Sequence, residues 1–116
     1  MSFDVKLLDK KGKICQVEKH TEGGTYVLGG TIDASLNITY NYSKLYSKYL
    51  DEKQGLRFLD GKKAKDVIER LRETVFILGI VRDRDYWKPT PGNAGYALVI
   101  LLKWAKQHPE AMFKVS

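Results

Sequence analysis

Ala34-Ser35-Leu36-Asn37-Ile38-Thr39-Tyr40-Asn41-Tyr42-Ser43-Lys44-Leu45-Tyr46-Ser47-Lys48-Tyr49 changes its period half-way along, and that change decides the fold class. Up to Asn41, Ala34, Leu36, Ile38 and Tyr40 alternate with Ser35, Asn37, Thr39 and Asn41. A period of two is what a strand with one buried face requires. Beyond Asn41 the apolar positions become Tyr42, Leu45, Tyr46 and Tyr49, spaced by three and four. That spacing puts them on one side of a helix, expected over 43–51 and closed by Gln54-Gly55.

The flanks extend the two halves. Phe3, Val5 and Leu7 alternate with polar residues, Asp9-Lys10-Lys11-Gly12 reads as a turn, and Ile14-Cys15-Gln16-Val17 resumes the extended pattern. Residues 2–20 are therefore expected to form a hairpin. Tyr26-Val27-Leu28, between two glycine pairs, reads as a further short strand. Leu56-Arg57-Phe58-Leu59 reads as a short irregular piece. Ala64, Val67, Ile68, Leu71, Val75 and Leu78 then form the apolar stripe of a helix over about 62–79, stopped by Gly79. Ile80 to Pro89 is a loop, a last helix covers about 91–107, and Ala111 to Val115 suits an extended tail. Strands before helices predict an α+β fold: N-terminal antiparallel β-strands (about 2–40), then a C-terminal helical part with two main helices, in a single domain over 1–116.

Composition narrows the function classes. The 116 residues are 43% hydrophobic and 29% charged, an ordinary globular balance. A formal charge of +6 favours anionic partners. The lone Cys15 makes no intramolecular disulfide and suits a reducing compartment, more as a buried small residue than as a nucleophile. The N-terminus lacks a signal-peptide layout, and the longest apolar run, Tyr96 to Leu102, is too short to span a bilayer. A cytoplasmic protein is expected.

Catalytic signatures are sparse. Neither a G-x-x-x-x-G-K-[ST] loop nor G-x-G-x-x-G occurs. His20 and His108 are isolated, and one cysteine is too few for a His/Cys metal site. Arg82-Asp83-Arg84-Asp85 reads as a solvated, self-paired loop. No catalytic residues, metal or cofactor are expected.

Three segments suggest binding instead. Thr90 suits an N-cap and Pro91 the first helical position. The first turn then carries the poor helix formers Gly92, Asn93 and Gly95, downstream of Tyr86 and Trp87. A bare helix start takes an anion closely, and the rings stack on something flat. A structural entry, with Gly92 and Gly95 permitting close packing, is the other reading. Asn37 to Ser43 ends a polar strand face in Asn41 and Tyr42, either a ligand contact or an ordinary strand-to-helix corner. Arg57 beside Phe58 pairs a phosphate-binding fork with a ring, or is a core Phe next to a surface Arg.

Asn37-Ile38-Thr39-Tyr40-Asn41-Tyr42-Ser43 followed by Asp85-Tyr86-Trp87 and Thr90-Pro91-Gly92-Asn93-Ala94-Gly95-Tyr96-Ala97-Leu98 resembles a group of small phage and prophage proteins. It is similar to the Thoeris anti-defence sponges of the first type, from about residue 34 to the C-terminus. Those proteins sequester a cyclic ADP-ribose isomer made by a bacterial TIR-domain immune enzyme and do not degrade it. The resemblance implies a homodimer, extendable to a hexamer, with ligand pockets at the dimer interface. By position it implies that Arg57 contacts the pyrophosphate, that Asn93 lies in the pocket wall, and that Tyr86 and Trp87 enclose the ligand. Members often carry an Arg near the C-terminus as a phosphate ligand, whereas this chain has only Lys114 there. Some members also bind cyclic trinucleotides at a second site of the hexamer.

The expectation is thus a non-enzymatic, cytoplasmic nucleotide sponge of the infected host, with no membrane or DNA partner. Its candidate ligand residues are Asn41, Tyr42, Arg57, Phe58, Tyr86, Trp87, Thr90, Gly92, Asn93 and Lys114. The alternatives are a nucleotide-degrading enzyme and a phage accessory factor that binds nucleic acid or protein.

Overall fold

A computed structural model describes residues 1–23 and 29–116; the strand expected at Tyr26-Val27-Leu28 lies outside the described residues. The chain runs β1 (Ser2–Leu8), β2 (Gln16–His20), β3 (Thr31–Asp33), β4 (Ser35–Thr39), α1 (Ser43–Tyr49), α2 (Ala64–Leu78), α3 (Pro91–Gln107) and β5 (Met112–Val115). Single 3-10 turns occupy Tyr40–Tyr42 and Gly55–Leu59. This is the expected α+β arrangement, four strands first and the two main helices after them, with the C-terminal tail adding β5 to the sheet.

The central sheet has the order β4-β1-β5, all antiparallel. Phe3 faces Ile38, Val5 faces Leu36 and Val115, and Leu7 faces Phe113. All seven are buried, so the period-two patterns of three strands select one common face. That face joins Ala64, Val67 and Leu71 of α2, and Leu98, Leu101 and Ala105 of α3, in one core.

The N-terminal hairpin forms only at its tip. The Asp9 N–H donates to the Lys13 carbonyl, and Leu8 bridges Ile14. Beyond the tip the strands part. β1 takes β4 and β5 as partners, while β2 pairs with β3 in a separate two-stranded sheet. The physical reason lies in the faces: β1 buries Phe3, Val5 and Leu7, whereas β2 has no fully buried side chain. A strand with a continuous apolar face goes to the centre of the sheet, and β2 stays at the margin.

The strand-to-helix corner falls where the period changes. Ala34, Leu36 and Ile38 are buried as the alternation requires, but the next fully buried ring is Tyr42, because the 3-10 turn rotates the chain at Tyr40. The Thr39 hydroxyl accepts from the Asn41 N–H and caps that turn. α1 ends at Tyr49, two residues earlier than expected. α2 buries its predicted stripe on Ala64, Val67, Leu71 and Leu78 and stops at Gly79, whose φ of 77° is left-handed.

Candidate functional site

The loop between α2 and α3 is built by one side chain. Asn93, only 5% exposed, lies in the first turn of α3. Its Oδ1 accepts the Asp83 N–H at 2.8 Å, and its Nδ2 donates to the carbonyls of Asp85 and Lys88 at 3.0 and 2.8 Å. Asp83 and Asp85 continue the scaffold: their carboxylates accept the N–H groups of Asp85 and Trp87. The acids of Arg82-Asp83-Arg84-Asp85 therefore serve loop backbone; they do not pair with the arginines beside them. Lys88 faces Asp83 at 3.8 Å.

The glycines of the helix start answer to packing. A Cβ at Gly92 would lie 1.8 Å from the Val81 carbonyl oxygen, and one at Gly95 would lie 1.8 Å from that of Gly79. The chain leaving α2 runs directly over the face that these glycines bare. Thr90 caps the helix by accepting the Asn93 N–H at 3.1 Å. Among the two readings of this segment, close packing is the one the geometry realises on that face.

The rings meet on the other side of the loop. Tyr42 is fully buried, and its hydroxyl donates to the Tyr86 carbonyl. The Tyr42 and Tyr86 rings stand edge to face at 5.9 Å, as do Tyr86 and Trp87 at 5.1 Å. The Tyr86 hydroxyl reaches back to the Asn37 carbonyl of β4, and the Asn41 amide donates to the Trp87 carbonyl. The strand-to-helix corner and the aromatic loop, 44 residues apart, are thereby joined. Burial pushes the Tyr42 and Tyr46 phenols well above their ordinary range, so both stay neutral donors; Tyr46 donates to the Ala94 carbonyl.

These elements border a cavity of about 270 Å³. Tyr42, Tyr86, Trp87 and Asn93 of the predicted set line it, with Asn37, Thr21, Glu22, Gly23, Arg82, Tyr96, Ala97 and Ile100. The Arg82 guanidinium lies 4.2 Å from the centre of the Tyr96 ring. Glu22 and Tyr96 meet at 3.5 Å through carboxylate and hydroxyl. A groove of about 360 Å³ continues past Glu22, Tyr96 and Ile100 to His20, Lys103 and Trp104.

The remaining predicted residues are elsewhere in the single chain. Asn41, Thr90 and Gly92 support the wall from behind through the contacts described above. Arg57 stacks on Phe3 at 5.2 Å, and Phe58 is flanked by Lys62 and Arg70 at 4.3 and 4.8 Å. Lys114 is exposed on β5, opposite Lys6. None of these three lines the cavity.

Sequence reading missed Thr21, Glu22, Gly23, Arg82, Tyr96, Ala97 and Ile100. A signal for the last three was present. Asn93, Tyr96, Ala97 and Ile100 fall at i, i+3, i+4 and i+7, a second stripe on α3 beside the core stripe of Ala94, Leu98, Leu101 and Ala105. Arg82 carries no local signal, because its meeting with Tyr96 depends on the loop path.

Cys15 is buried, and burial, followed by the Asp9 charge, pushes its thiol up, away from nucleophile behaviour. Among the described residues no three His, Cys, Asp or Glu side chains cluster as a metal site would need, and no helix is long and apolar enough to cross a membrane. No family model, curated protein or solved structure matches this chain.

Proposed function

We propose that this protein binds and sequesters a cyclic ADP-ribose-type signalling nucleotide without cleaving it, acting as a phage or prophage anti-defence protein in the cytoplasm of the infected host. The observation that carries this reading is the cavity where Tyr86, Trp87 and Tyr96 converge beside the Arg82 guanidinium. Rings suit a purine, and a guanidinium suits a pyrophosphate. Sequestration needs affinity rather than transition-state stabilisation, and a wall fixed by Asn93 lowers the ordering cost of binding.

The ligand would be shared between two copies. Phe76, Ile77, Ile80 and Val81 are exposed, Phe76 at 89% and Val81 at 85%, and the run ends next to Arg82. An exposed apolar run of that kind suits an interface, and a second copy seated there would border the cavity beside Arg82. Any contribution of Arg57, Phe58 or Lys114 to the ligand would have to come from that second copy.

The test is a release experiment. The protein is incubated with the cyclic nucleotide, freed of unbound material, and heated to denature it. Intact ligand recovered in near-stoichiometric amount is expected. Recovery of a cleaved product would replace the sponge with a hydrolase, and no retention at micromolar protein would end the nucleotide reading.

A further inference from the structure

Arg82 is placed by two contacts that are not its own. On one side the Val81 carbonyl lies against Gly92, and on the other the Asp83 N–H is held by Asn93. The side chain is then set over the face of Tyr96 at 4.2 Å. Asp83 and Asp85, its sequence neighbours, are occupied by loop N–H groups and by Lys88. Among the described residues no carboxylate lies within ion-pair distance of the Arg82 guanidinium. Arg82 thus lines the cavity as a cation held over a ring, with no carboxylate partner among the described residues. Glu22 meets the same Tyr96 at the hydroxyl, away from the ring face that Arg82 covers. The cavity is polarised, with its cationic end at Arg82.

We propose that Arg82, backed by Tyr96, is the phosphate-binding residue of this cavity, taking the phosphate of a nucleotide whose base lies among Tyr86 and Trp87. The assignment rests on the nucleotide reading above and adds to it a residue in the same chain as the rings. A guanidinium offers a planar fork that matches two phosphate oxygens, and stacking on Tyr96 fixes the plane of that fork before the ligand arrives.

The test uses the full chain, with ADP-ribose and adenosine as probes, followed by isothermal titration calorimetry. The parent is expected to hold ADP-ribose at least about tenfold more tightly than adenosine, since charge-assisted hydrogen bonds account for roughly tenfold to a hundredfold. Arg82→Ala should remove that preference, lowering ADP-ribose affinity by the same factor and leaving adenosine nearly unchanged. Arg82→Lys should restore part of it, because an ammonium keeps the charge and loses the fork. Unchanged thermal unfolding of Arg82→Ala is expected, as the side chain is exposed and makes no ion pair. If Arg82→Ala keeps the parent's ADP-ribose affinity, the assignment is overturned and the nucleotide reading stands. If the parent binds neither probe, both fall together.

Discussion

Asn93 shows how one buried amide fixes a loop of ten residues. Its orientation is set by its partners: a backbone N–H needs the oxygen, and two carbonyls need the nitrogen. Asn93→Ala should cost about 2–3 kcal/mol, because it strands three backbone groups that are only partly reached by water. Asn93→Asp is the sharper probe. It is isosteric and keeps the acceptor for Asp83, but it turns a second oxygen toward the carbonyls of Asp85 and Lys88. It should destabilise at least as much as the alanine, read by urea unfolding at pH 7. A neutral aspartate variant would show that the amide is not holding those carbonyls. Asn93 was visible in the sequence as a polar residue at a helix start. Its donors looked available for a ligand only because the loop that consumes them has no periodic signature of its own.

At the scale of elements, the faces were legible and the pairings were not. The alternation in Phe3-Val5-Leu7 and Leu36-Ile38 named the inward side of two strands, and the stripes of α2 and α3 named theirs. The apolar alternation that β4 has and Gln16–His20 lacks favours β4 as the neighbour of β1, but the turn at Asp9–Lys13 also permits a hairpin, and the sequence alone does not weigh the one against the other. The α2–α3 connection was equally hidden. Gly92 and Gly95 read as a bare helix end, and the three-residue spacing between them also describes a notch for a crossing chain. The Val81 carbonyl sits in that notch, so Gly92→Ala, ordinarily favourable in a helix by about 1 kcal/mol, should here destabilise by about 1–3 kcal/mol through overpacking. Chemical denaturation of this single variant decides the sign. A stabilised variant would mean that the crossing is loose and that the loop carrying Arg82 is not pinned by it.

For the whole molecule, the apolar run over Phe76, Ile77, Ile80 and Val81 and the cavity behind Arg82 pose one question. Lone exposed apolar side chains are common on monomers, but four within six residues, two of them nearly fully exposed, form a surface that water covers at a cost. The stripe of α2 does not explain them, since Val75 and Leu78 already meet the core. The proposed second copy would cover this surface and border the cavity. Phe76→Glu separates the two demands. Phe76 makes no core contact, so the fold should survive with its thermal midpoint within a few degrees. A carboxylate buried in an apolar two-fold interface would be desolvated without a partner in both copies at once, and that cost should dissociate the pair. Sedimentation should show the parent as a dimer or larger and Phe76→Glu as a monomer, with cyclic nucleotide retention lost alongside. A parent that sediments as a monomer while retaining ligand would place the whole site within one chain. The ring cluster and Arg82 would then have to suffice without a partner.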